Sequence, residues 1–172
     1  MNTRERIKIL QDTIDTHRQV LKKIESRYKE FLLSMPLDNS DKGFYIGIVL
    51  ADFFERYYTC LETIFLRISQ YFENQLEPNR WHRNLLERMT VRFEGIRERV
   101  LSEKSYHLAL EFLKFRHFKR YYFDVDYDWD KLIFLQKKFD QLTESIHQDL
   151  DRFDEFLTKL ADSIACKSPL DS

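Results

Sequence analysis

Apolar side chains return at every seventh position near both ends of this chain. Toward the N-terminus Ile7, Ile14, Leu21 and Tyr28 keep that interval, with Leu10, His17, Ile24 and Phe31 in the second seam position. Toward the C-terminus Leu132, Phe139, Ile146, Phe153 and Leu160 do the same, backed by Leu135, Leu142 and Phe156. A strand repeats every two residues, whereas helix surfaces repeat every three to four, so a sustained seven-residue return specifies long helices with one apolar stripe. The chain holds three Gly and three Pro among 172 residues, which leaves little material for hairpin turns.

Between the two striped segments the pattern predicts three further helices. The first helix runs from about Thr3 to Met35 and ends in a loop, PLDNSDKG, whose Pro36, Asn39 and Gly43 are turn formers. Phe44 to about Phe72 is apolar around most of its circumference, as a central helix packed on several sides would be. A loop near Glu77-Pro78-Asn79 precedes a short helix carrying WHRNLLERM, and roughly Arg92 to Leu101 is a connection. Ser102 is placed to cap a helix reaching about Tyr122; the DVDYD turn follows, with Asp128 placed to cap the last helix. The expected architecture is an all-α up-and-down bundle of about five helices with long outer helices. Residues 1–165 are read as one domain, with residues 166–172 as a frayed tail. The seams could equally accept a partner helix, so a dimer fits the pattern.

Composition narrows the chemistry. The net charge is −1, so no global basic field draws in nucleic acid and any such contact needs a local patch. Cys60 and Cys166 form no metal or redox spacing and read as reduced thiols in a cytoplasmic protein. The N-terminus, MNTRERIKILQD, is charged and amphipathic and lacks the apolar core of a signal peptide. The most apolar window, Phe44 to Phe54, is interrupted by Asp52 and is too short to span a bilayer, so no membrane role is expected. There is no P-loop, GxSxG, HExxH or CxxC. No cofactor or metal is expected.

The stretch from Lys114 to Leu132, KFRHFKRYYFDVDYDWDKL, concentrates the chemistry. Arg116, Lys119, Arg120 and His117 lie within two turns at a helix C-terminus. The structural reading is that cations there complement the helix dipole and pair with the aspartates beyond. The functional reading is that arginines grip phosphate while flanking aromatics such as Tyr122 stack on bases. Asp124, Asp126, Asp128 and Asp130 imitate the start of a calcium loop, but Trp129 stands where Gly is needed and Leu135 where the bidentate Glu is needed. A turn plus a helix cap is the expected use of these aspartates. His17, on an apolar seam, reads as a hydrogen-bonded core or interface residue rather than a ligand.

Three separated blocks carry a resemblance. DFFERYYTCLETIFLRIS (52–69), WHRNLLERM (81–89) and EFLKFRHFKRYYFDVDYDW (111–129) stand in the order found in the HepT-like branch of the HEPN superfamily, which they resemble over roughly residues 52–132. That family comprises helical toxins paired with minimal nucleotidyltransferase (MNT-type) antitoxins. The resemblance implies a homodimeric helical bundle in which R-x4-6-H motifs from two protomers face each other and cleave RNA without a metal. The arginine would hold phosphate and the histidine would move protons for the ribose 2′-OH, jobs suited to a fixed cationic fork and to an imidazole titrating near neutrality. In many members a tyrosine two places after that histidine accepts AMP from the antitoxin.

This chain departs from the pattern at those positions. Arg116 matches the arginine, but the histidine position is Tyr121 and the AMP-accepting position is Phe123. No arginine is followed by a histidine five to seven residues later. A phenol with pKa near ~10 is ionised in about one molecule in a thousand at pH 7, so Tyr121 is a poor general base. Two readings follow: an endoribonuclease toxin with a weakened site at Arg116, Tyr121 and His117, or a catalytically silent HEPN module. The second keeps its nucleotidyltransferase partner and binds RNA or nucleotide through Lys119, Arg120 and Tyr122.

Overall fold

The computed structural model describes residues 2–34, 43–73, 81–121 and 127–167, with backbone only for residues 81–84, 120, 121 and 165–167. Its helices are α1 (Thr3–Ser34), α2 (Gly43–Phe72), α3 (Trp81–Arg88), α4 (Glu103–Tyr121) and α5 (Trp129–Lys167). Among the described residues there is no strand, only an isolated bridge between Phe93 and Arg97. The fold is therefore an all-α bundle. At 1.5 Å per residue, α1 and α5 are about 48 and about 58 Å long, and they form the outer pair. The predicted loops at Pro36–Asn39 and Glu77–Asn79 lie outside the described residues; of the expected tail 166–172, Cys166 and Lys167 continue α5 and residues 168–172 lie outside the described residues.

Both seven-residue stripes turn inward. Ile7, Leu10, Ile14, Leu21 and Tyr28 of α1 are buried, as are Leu132, Leu135, Phe139, Leu142, Ile146 and Phe153 of α5. His17, Ile24, Phe31, Phe156 and Leu160 are half-buried at the margins. Helix α2 touches all the others, which explains its nearly all-round apolarity. The Phe139 ring lies where four helices meet, with ring centroids 4.6 Å from Tyr28, 4.8 Å from Tyr57, 5.4 Å from Phe54 and 5.9 Å from Phe112. Edge and tilted contacts of this kind suit the ring quadrupoles better than stacked faces.

The helix starts are fixed by side chains. Ser102 Oγ accepts the Ser105 amide at 3.3 Å, and Asp128 Oδ1 accepts the amides of Asp130 and Lys131 at 3.0 and 3.3 Å. Each satisfies donors that have no partner within the helix. Ser102 is itself held by Asp149 of α5, which accepts both its amide and its hydroxyl. The connection before it is ordered around one buried arginine. Arg97 donates to Glu73 and to the carbonyls of Arg88, Val91 and Glu98, with its guanidinium 4.7 Å from the Phe93 ring centroid. Gly95 closes this turn at φ 71°, a left-handed conformation that suits glycine.

Candidate functional site

The cationic end of α4 is held against α2. The two helices run antiparallel here, since Glu55 pairs with Lys119 and, seven residues on, Glu62 pairs with Arg116. Arg116 is 4% exposed and Glu62 5% exposed, and one guanidinium nitrogen donates to the Glu62 carboxylate. The Arg116 guanidinium also lies 5.8 Å from the centroid of the buried Tyr58 ring. Burial, reinforced by Glu62 and opposed by Arg116, lifts the Tyr58 phenol far above its ordinary range. Arg116 Nε has no hydrogen-bond partner among the described residues. One residue on, His117 is exposed, so the roughly 100° step along a helix separates these two side chains. Lys119 Nζ reaches Glu55 at 2.7 Å, with both groups partly exposed.

Among the sequence-predicted site residues, Arg116 and Lys119 thus share one face of α4, whereas His117 does not. The side chains of Arg120 and Tyr121, and all of Tyr122, Phe123, Asp124 and Asp126, lie outside the described residues. Of the cations expected to pair with aspartates beyond the helix, Arg116 and Lys119 meet glutamates of α2, and Asp128 serves as the α5 cap. Glu55 and Glu62 are the residues that sequence reading missed. Their signal was present: two acids seven apart on the most apolar helix share one face, and a buried acid needs a cation. His17, as expected of a seam residue, is hydrogen-bonded within the protein, its Nδ1 lying 2.8 Å from the Thr13 carbonyl oxygen. The Cys60 thiol is buried beside it, and burial raises its pKa to about 11. No helix among the described residues is long and apolar enough to cross a membrane.

An all-α bundle carrying an arginine near the end of its fourth helix, followed in the sequence by an aromatic run and the stretch DVDYD, matches the class anticipated above. Residues 49–157, more than half of the chain, match the family model described as HepT-like protein, and the chain belongs to that HEPN family. Membership points to a function of the HEPN toxin type, and the family is generally paired with nucleotidyltransferase antitoxins. No curated protein and no solved structure matches the chain.

Proposed function

We propose that this chain is the HepT-like member of a toxin–antitoxin pair with a minimal nucleotidyltransferase. It acts in the cytoplasm as a homodimer, with residues 1–165 in the folded unit and the residues beyond the end of α5 as a tail. It binds RNA at the α4 end through Lys119, Arg120 and Tyr122 and retains at most a weakened, metal-independent ribonuclease step at Arg116 and Tyr121, with His117 as the nearest imidazole. The observation that carries the weakening is the buried Arg116–Glu62 pair, which already neutralises the guanidinium that would meet phosphate. A phenol at position 121 compounds it, since general acid–base catalysis contributes ~10²–10⁴-fold and a neutral phenol forfeits most of that.

The same buried pair favours the second reading, a binding module without catalysis. Control by AMP transfer to position 123 is closed to this chain, because Phe123 has no hydroxyl. The partner then acts through Tyr121 or Tyr122, or by binding alone.

One assay separates the readings. Purified protein is incubated with RNA in EDTA beside its Arg116→Ala and Tyr121→His variants. A weakened nuclease shows slow cleavage that Arg116→Ala abolishes and Tyr121→His raises at least ~100-fold. RNA binding with no cleavage by wild type or by Tyr121→His establishes the silent module. Failure to bind either RNA or a nucleotidyltransferase encoded beside it overturns both.

A further inference from the structure

An open groove of about 380 Å³ runs between α1 and α2, and none of the residues placed at the α4 end lines it. The two helices are antiparallel along it. Arg6 lies against Tyr71 at one end, and the Cys60 thiol donates to the His17 carbonyl at the other. From Arg6 to His17 the groove is about 16 Å long at 1.5 Å per residue, or roughly three helical turns. Its floor is aliphatic: Leu10 is buried, and Ile9 beside it is 52% exposed.

The charge on its walls has one sign. Arg6 and Arg67 line the groove and no carboxylate does. The Arg6 guanidinium lies 5.5 Å from the Tyr71 ring centroid, and Arg67 donates to the Gln70 side chain at 3.1 Å, so among the described residues neither cation meets an acid. Elsewhere on the same two helices Arg18, Arg27 and Arg56 each pair with a carboxylate.

These features select the occupant. A second copy meeting this patch about a twofold axis would set arginine against arginine. An RNA strand stacks its bases on open aromatic faces, whereas the one ring here, Tyr71, already carries the Arg6 guanidinium over its face. An apolar strip three turns long with cations on its walls fits a helix with apolar side chains every three or four residues and carboxylates at the margins of that face. We infer that the α1/α2 groove docks an acidic amphipathic helix of a partner protein, its apolar side chains on Ile9 and Leu10 and its carboxylates on Arg6 and Arg67. This docking is independent of whether the α4 end binds RNA.

The test is an anisotropy titration at low salt with a labelled synthetic helix, leucine at every third or fourth position and glutamate on both flanks. Saturable one-to-one binding is expected, about tenfold weaker in Arg6→Ala/Arg67→Ala and severalfold weaker in Ile9→Ser. All three positions are exposed, so these variants are expected to keep the wild-type melting temperature. The same helix with glutamine for glutamate is expected to bind wild type about tenfold more weakly and to be indifferent to the arginine substitutions, which assigns the loss to pairs formed across the groove. Lys22→Ala/Lys23→Ala removes as much charge from an exposed part of α1 outside the groove and is expected to change nothing. Absent binding, equal affinity for the glutamate and glutamine helices, or an equal loss in the lysine variant overturns the proposal. Single-stranded RNA that displaces the helix at lower concentration than unlabelled helix does overturns it in favour of a nucleic-acid face.

Discussion

At Arg116 the cost of removing one charge exceeds the cost of removing both. Its guanidinium and the Glu62 carboxylate are almost fully excluded from water, so each leans on the opposite charge of the other. Glu62→Ala is expected to destabilise the fold by about 3–5 kcal/mol, since it strands a buried cation. The double variant Arg116→Met/Glu62→Leu removes the charges together and is expected to lie within ~1 kcal/mol of wild type or above it. Urea unfolding checks both, provided the slope with denaturant stays constant so that the midpoint reports stability. A Glu62→Ala loss under ~1 kcal/mol would mean that water reaches the pair. The result also bears on the cleavage assay: Arg116→Ala leaves the buried Glu62 without its cation, so the double variant is the folded control for a lost guanidinium.

At the scale of elements, the turn between α3 and α4 stands on backbone geometry as much as on contacts. A Cβ added at Gly95 meets nothing within 4 Å, so substitution there tests the left-handed backbone without a steric clash. Gly95→Ala is expected to cost about 1–2 kcal/mol and Gly95→Asn less, because asparagine tolerates that region. Equal melting temperatures for the three proteins would show that the turn relaxes freely. The helices themselves were legible because a seven-residue apolar return leaves few alternatives, and Ser102 and Asp128 cap where their chemistry suggested. This turn was not legible beyond being a connection. Its order depends on Arg97 reaching Glu73, a partner 24 residues away in sequence. No periodicity marks such a pair, and an arginine in a loop ordinarily reads as surface.

For the molecule as a whole, the candidate site was half legible. The Arg116 stretch stood out by its local residue types, and the family resemblance implied the departures at Tyr121 and Phe123, whereas Glu62, 54 residues away, could be assigned to Arg116 only once α2 and α4 were seen to pack. That pairing changes how RNA binding should respond to salt. The net charge is −1 and Arg116 is sealed against Glu62 in the core, whereas the Lys119–Glu55 pair is partly exposed and can open to phosphate, so the proposed contacts at this end of α4 are Lys119 and Arg120. With the proposed dimer supplying about four such contacts, the slope of log K against log salt for single-stranded RNA should be about −3, following the rule of roughly −0.7 per neutralised phosphate. Anisotropy titrations of a labelled oligonucleotide across a salt series measure it. A slope much steeper than −3 would require either Arg116 to leave Glu62 in the complex or a second basic face to take part, and the groove of Arg6, His17 and Arg67 between α1 and α2 is the first place to mutate. Arg6→Ala/Arg67→Ala lowering the slope would assign the excess to that groove; an unchanged slope would assign it to a released Arg116.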